Sequence, residues 1–146
     1  MATVELRFSA LPEHVRTARL VAAAMARRAG VDEAALDEVR LAVGEACTRA
    51  VGLHMSNGVD SPVRVALIEE EKSFSIEVGD EAPGRNAGLV PGARDEIPEP
   101  AGDEGADGEM GLAVISGLVD DVEVTADEAG GLIRMTWPTL PEPLVP

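Results

Sequence analysis

The chain has few aromatic residues and a single cysteine. Its 146 residues include two phenylalanines, one tryptophan and no tyrosine, and Cys47 is the only cysteine. A single cysteine excludes an internal disulfide framework and a cysteine-rich zinc site. So few aromatic rings argue against the stacking platforms that bind single-stranded nucleic acid. Because apolar residues still make up 45% of the chain, aliphatic side chains must build the core, and we interpret Cys47 as one of its small members.

Basic residues and long apolar runs are scarce as well. Lys and Arg number 12 against 27 Asp and Glu, which gives a formal net charge of -15. A chain this acidic repels nucleic-acid phosphates and anionic lipid, so we expect no nucleic acid and no membrane as partner, and a basic protein surface is favoured. No apolar run approaches the roughly 20 residues that span a bilayer. The N-terminus lacks the pattern of a signal peptide, and we expect a cytoplasmic protein.

Hydrophobic periodicity predicts one α+β domain. The expected strands are 3–9, 63–69, 73–79, 121–125 and 132–137, and the expected helices are 13–29, 32–54 and 110–118. Gly30 is placed to end the first helix, and Asp32 is placed to cap the second. Antiparallel strands with helices on one face predict a two-layer α/β sandwich with a mixed, mostly antiparallel sheet.

Three short segments at the joints of this layout carry polar residues and glycines. They are Glu45 to Arg49 on the second helix, Asp80 after the third strand, and Gly108 to Gly111 before the third helix. A carboxylate at a strand end can accept a hydrogen bond from an exocyclic amine, and free N–H groups at a helix start can hold phosphates. The segments therefore predict a nucleotide site. The local sequence leaves an alternative open: Glu45 and Arg49 form an ordinary i,i+4 ion pair, and Asp80 and the glycines are turn residues.

In the order and spacing of these segments the chain resembles the small anti-sigma factors with serine-kinase activity. These are the RsbW and SpoIIAB type of the histidine-kinase-like (GHKL) ATPase superfamily. The similarity runs from Phe8-Ser9-Ala10-Leu11 through Glu45-Ala46-x-Thr48 and Asp80 to Gly108-x-Met110-Gly111 and Gly131-Leu132-Ile133-Arg134-Met135. The resemblance implies a Bergerat-type ATPase domain over residues 1–138, an ATP lid at about 84–109 and a Pro-rich tail at 139–146.

The resemblance also implies a function. Family members hold a sigma factor inactive and are countered by a STAS-type antagonist, which they phosphorylate on serine; ATP or ADP is the expected ligand, and a homodimer is expected. Glu45 matches the general base, Asp80 the acceptor for the adenine amino group, and Arg16 and Arg19 lie where the family binds its partners. The other positions expected at the nucleotide are Arg49, Gly84, Gly108, Met110 and Gly111.

The chain departs from the family at two positions. Arg49 stands where the family has a Mg²⁺-chelating asparagine, but Mg²⁺ needs oxygen ligands and a guanidinium only donates. Arg49 can also pair with Glu45 and weaken it as a base. Ala82 stands where a glycine is expected, and its methyl group would be strained if the backbone needed a positive φ. We therefore predict no metal ligands, a degenerate ATP site and weak or absent kinase activity.

Two alternatives stay open. The first is an active ATP-dependent protein serine kinase that uses Glu45 as base and phosphorylates the antagonist. The second is a nucleotide-free scaffold that titrates the antagonist. The two histidines, His14 and His54, form no metal-ligand pattern, and we interpret them as structural or surface residues.

Overall fold

The computed structural model describes residues 2–82, 112–119 and 121–139. Within these ranges, strands form one sheet and helices pack on one of its faces. The strands are β1 (Ala2–Phe8), β2 (Val63–Glu69), β3 (Ser73–Asp80), β4 (Asp121–Asp127) and β5 (Gly130–Pro138), and the helices are α1 (Glu13–Ala29), α2 (Leu36–Ser56) and α3 (112–118). No helix of this part of the chain is both long and apolar enough to cross a membrane.

The sheet has the order β1-β2-β3-β5-β4, and each neighbouring pair is antiparallel. β3 is therefore the central strand, and its last residue, Asp80, lies opposite Gly131 near the start of β5. The predicted α+β two-layer fold is confirmed, and the sheet is antiparallel throughout its described strands.

The two long helices form because small and aliphatic residues recur every third or fourth position. On α1, Val15, Ala18 and Ala22 are buried, and the alanines allow α2 to approach closely. Gly30 ends α1 as predicted, since it adopts a left-handed φ of 102° and donates its N–H to the last carbonyl groups. Asp32 caps differently from the prediction: its side chain accepts from Ala34 N in a 3₁₀ turn that leads into α2.

The core lies between this helical layer and the inward face of the sheet. Alternate residues of β2, β3 and β5 point into it, as period-two burial requires. Cys47 on α2 is fully buried among them, as predicted, and burial raises the pKa of its thiol to about 12. The largest fully buried members are Phe74, Leu67, Ile76, Ile115 and Met135.

Candidate functional site

Asp80 is a buried carboxylate at the end of the central strand. Only 7% of the residue is exposed. Its Oδ1 atom accepts hydrogen bonds from Ala82 N at 3.0 Å and from Gly131 N at 3.3 Å. Among the described residues no donor is bonded to Oδ2, so this oxygen keeps its capacity to accept a hydrogen bond. The arrangement fixes the carboxylate in one orientation while leaving it one acceptor atom.

Two consecutive glycines of the β4–β5 turn enclose this carboxylate. Gly130 has a φ of 151°, and a side chain there would overlap the carbonyl oxygen of Asp80. A Cβ atom at Gly131 would lie 2.9 Å from Asp80 Oδ2. Both positions therefore require glycine. Sequence reasoning left these glycines between the predicted strands 121–125 and 132–137 and missed their contact with Asp80.

Arg49 reaches the same region from α2. It is half-buried, and burial lowers the pKa of its guanidinium while the neighbouring negative charge of Asp80 opposes that lowering. An arginine in this setting stays protonated at neutral pH. The ion pair with Glu45 that the i,i+4 spacing allows is not among the salt bridges between described residues. The charge of Asp80 therefore acts on Arg49 across the space between α2 and β3, although the salt bridges between described residues do not include this pair.

Glu45 lies one helical turn before Arg49 and is half-buried. Since Arg49 does not pair with it, its carboxylate is not neutralised from that side. The described residues contain no group of three side chains that could hold a metal ion. The guanidinium of Arg49 only donates and offers a metal ion no oxygen, so the described residues fit an amine-bearing ligand at Asp80 better than they fit a metal.

Ala82 does not carry the strain that its replacement of a glycine suggested. It is buried, and no residue other than glycine in the described ranges has a positive φ. Its N–H is one of the two donors that orient Asp80. The alanine is therefore compatible with the turn that follows β3.

His54, near the end of α2, is fully buried beside this turn. Its Nδ1 atom lies 3.0 Å from the carbonyl oxygen of Ser61, and its Nε2 atom accepts from Glu81 N at 2.8 Å. The interpretation of His54 as structural or surface did not anticipate this contact. No local pattern could have found it, because His54 and Glu81 are 27 residues apart.

The expected partner-binding residues lie on α1. Arg16 is exposed, whereas Arg19 is half-buried with its stem across α2, so that a Cβ atom at Gly44 would lie 2.8 Å from Arg19 Cδ. Leu20 beside them is 56% exposed. α1 carries four arginines and one glutamate, so this helix is cationic although the chain as a whole is acidic, and Arg27 near its end is paired with Glu33.

Several predicted features lie outside the described residues. They are Gly84, Gly108, Met110 and Gly111, the lid at about 84–109, and the tail beyond Thr139.

Comparison with known proteins gives concordant matches. The family model of the histidine kinase-like ATPase domain matches residues 8–137. A curated relative from Bacillus pumilus, named serine-protein kinase RsbW, is 31% identical over 138 residues, which cover 91% of this chain and 83% of the relative. A protein of the same name from Listeria monocytogenes serovar 1/2a is 28% identical over 137 residues, covering 92% and 86%.

The fold has a counterpart among solved structures. The crystal structure of the RsbU and RsbW domains of a Mycobacterium tuberculosis protein matches the whole chain with a TM-score of 0.67 and 16% identity. This chain spans 34% of that solved chain. The match supports the architecture described above.

Proposed function

The chain belongs to the histidine kinase-like ATPase domain family, and on that premise we propose that it is an anti-sigma factor of the RsbW type. It binds and inhibits a sigma factor and is countered by a STAS-type antagonist. Its nucleotide site takes ATP or ADP but transfers phosphate weakly or not at all. From the same membership we propose a cytoplasmic homodimer with an ATP lid at about 84–109 in a domain of residues 1–138, followed by a tail.

The observation that carries the proposal is the buried and oriented carboxylate of Asp80. Asp80 Oδ1 is held by two backbone N–H groups, which leaves Oδ2 to accept from the amino group of adenine. Arg49 supplies a positive charge near a ligand that is itself anionic. Bound ATP would bring the phosphoryl group. The residues of this chain would orient the adenine and balance the charge of the phosphates.

Weak phosphoryl transfer follows from the same arginine. Transfer from ATP depends mostly on metal ions and positioning, and a guanidinium at position 49 repels a divalent cation and offers it no oxygen. Glu45, one turn before Arg49 on α2, is the residue to which we assign the role of base toward a serine hydroxyl. The chain therefore keeps one part of the kinase machinery and lacks another.

An active serine kinase is the second candidate, and one observation favours it. The salt bridges between described residues do not include one from Arg49 to Glu45, so in this structure the carboxylate that would act as base is not occupied by that arginine. The curated relatives are also named serine-protein kinases. Radiolabelled ATP with the purified antagonist separates the candidates: strong transfer that Glu45→Ala abolishes supports the kinase.

Calorimetric titration tests the nucleotide site. The affinity of wild type for each nucleotide, ADP or ATP, should be the same with Mg²⁺ as with EDTA. Arg49→Asn should bind ATP about tenfold more tightly with Mg²⁺ than with EDTA. Asp80→Asn should lose adenine binding, because its amide N–H would face the adenine amine. Arg28→Asn, at an exposed position of α1, is the matched control. Mg²⁺-dependent tightening in wild type would contradict the proposal, and no binding in any variant would favour the nucleotide-free scaffold.

The cationic face of α1 supports the location of the partner site. Arg16, Arg19 and exposed Leu20 fit a partner surface with acidic groups around an apolar spot. Each sigma factor and each STAS-type antagonist of the source organism would be co-expressed with the chain and co-purified. Arg16→Glu and Arg19→Glu should abolish the complex, and Arg28→Glu should not. Failure of wild type to retain any of these proteins would end the proposal.

A further inference from the structure

His54 closes a ring of three hydrogen bonds at the exit of the central strand. Its Nδ1 atom bonds to the Ser61 carbonyl oxygen at 3.0 Å, Ser61 Oγ donates to Glu81 Oε1 at 2.9 Å, and Glu81 N donates to His54 Nε2 at 2.8 Å. The three residues belong to α2, to the loop before β2 and to the chain after β3. The ring therefore joins the end of α2 and the loop that follows it to a segment 20 to 27 residues later in the chain.

The chemistry of the two partners assigns the protonation of the imidazole. A carbonyl oxygen only accepts, so Nδ1 must carry the hydrogen that bonds to Ser61. A backbone N–H only donates, so Nε2 must be bare to accept from Glu81. The buried ring is thus the neutral Nδ1–H tautomer, with both nitrogens satisfied.

We propose that His54 is a positioning residue for the Asp80 carboxylate. Its Nε2 atom holds the peptide N–H of Glu81, the residue directly after Asp80, and so fixes the direction in which the chain continues. The next N–H, that of Ala82, then points back to Asp80 Oδ1. His54 acts on the carboxylate through two consecutive peptide units and does not touch the carboxylate's ligand.

The same contact links the two elements from which the candidate site is built. α2 carries Glu45 and Arg49, and β3 ends in Asp80. His54 lies on α2 and holds the peptide after β3, so it sets the spacing between the arginine and the carboxylate. The positioning of Asp80 stands on the hydrogen bonds alone, and only its consequence for nucleotide affinity rests on the proposed function.

Two conservative variants separate the two bonds of the ring. The side-chain amide of His54→Gln places an oxygen near the position of Nε2 and keeps the acceptor for Glu81. The shorter amide of His54→Asn places a donor near Nδ1 and keeps only the bond to Ser61. We expect backbone amide hydrogen exchange at Ala82 and Gly131 to be about tenfold faster in His54→Asn than in His54→Gln, as the loss of one hydrogen bond predicts.

His14→Gln is the matched control, since His14 also contacts a backbone carbonyl through Nδ1, that of Ser9 at 3.1 Å, but lies away from Asp80. It should leave exchange at Ala82 and Gly131 unchanged. Equal exchange in the two His54 variants would overturn the positioning role. A merely structural histidine would destabilise both variants alike without this local difference.

A spectrum of the wild-type protein decides the case if a variant does not fold. Nitrogen-15 NMR of the His54 ring should give a protonated Nδ1 and a bare Nε2, and the opposite tautomer would overturn the proposal. Titration with ADP adds the functional arm: His54→Asn should bind about tenfold more weakly than His54→Gln. If wild type does not bind ADP, the nucleotide part of the proposed function fails, while hydrogen exchange still tests His54.

Discussion

Buried polar groups at the two ends of the layer between α2 and the sheet differ in whether they have hydrogen-bond partners. At the end near Asp80, the His54 ring uses both nitrogens, and the carboxylate receives two backbone donors. At the other end, Trp137 is 4% exposed, and its Nε1 atom has no hydrogen-bond partner among the described residues. A cavity of about 230 Å³ lies there, lined by Asp32, Ala35, Glu38, Leu118, Thr136, Trp137 and Pro138.

This contrast separates buried polar groups that indicate function from those that do not. Burying a polar group without a partner costs free energy, so an isolated case such as the Trp137 N–H is a cost that the surrounding packing offsets. Several polar groups that converge from separate elements and satisfy one another require a specific geometry. The Asp80 end has that convergence, and the Trp137 end does not.

The largest expected effect is at the turn that encloses Asp80. Gly130→Ala places a methyl group on the Asp80 carbonyl oxygen and 2.9 Å from Glu81 Cα, where only backbone could give way. We expect a loss of about 3–5 kcal/mol in the free energy of unfolding, measured by urea denaturation followed by circular dichroism. Gly52→Ala, in an exposed part of α2 with open space around it, should instead stabilise the protein by about 0.5–1 kcal/mol. Similar results for the two variants would contradict the close packing of the turn.

The next largest effect is expected when the imidazole of His54 is removed, because both of its hydrogen bonds are lost together. His54→Leu is close in size and apolar, so it leaves the Glu81 N–H and the Ser61 carbonyl without the imidazole. We expect a loss of about 2–3 kcal/mol in the free energy of unfolding, because two polar groups become unpaired. His14→Leu, at a less buried position on α1, should change it by less than about 0.5 kcal/mol. If the free energy of unfolding falls no more in His54→Leu than in His14→Leu, the hydrogen bonds of His54 add nothing to stability.

The fold was predicted from the sequence because its signals are local. The α1 bounds follow from apolar spacing and from Gly30, and the structure has the same bounds. β5 begins at Gly130, earlier than predicted. The prediction left the glycines out because glycine is a poor strand former in general. Here glycine is required by its close contact with Asp80. The local pattern indicated where a helix ends. It could not indicate that Gly130 contacts Asp80, which lies 50 positions earlier in the chain.

The site was predicted less completely. Asp80 at a strand end and Glu45 on a helix were identified from the sequence, and their roles remain predictions. The Glu45–Arg49 pair that the spacing allowed is not among the salt bridges between described residues, and i,i+4 spacing names only a neighbour on the same helix. Packing of α2 on β3 decides instead, since it places the guanidinium near the Asp80 charge. Tertiary contacts of this kind, like that of His54 with Glu81, have no sequence signal of their own.

Cys47 gives a smaller effect and reports on the core between the two ends. Burial raises the pKa of its thiol from an ordinary value of 9.0 to about 12. The unfolded chain therefore ionises first, so stability is unchanged below about pH 9 and falls as the pH rises toward 12. At pH 10 the loss relative to pH 8 should be about 1 kcal/mol by urea denaturation.

Cys47→Ala is the control, because it removes the titrating thiol and should lose less stability between pH 8 and pH 10 than wild type does. An identical fall in both proteins would assign the pH dependence to other groups. Thiol labelling of wild type at pH 8 sharpens the comparison of the ends. Labelling should be faster in the His54→Leu variant than in wild type, since exposure of Cys47 requires the core to open.

The smallest expected effect lies at the Trp137 end. Trp137→Phe removes an indole N–H that has no partner among the described residues, together with part of a buried ring. The relief of the unpaired donor offsets the lost burial, so the free energy of unfolding should change by less than about 1 kcal/mol, measured by circular dichroism because the variant has no tryptophan. A loss above about 3 kcal/mol would mean that the indole N–H has a partner. The Trp137 end would then resemble the Asp80 end, and the contrast between an unpaired buried group and a convergent site would no longer hold.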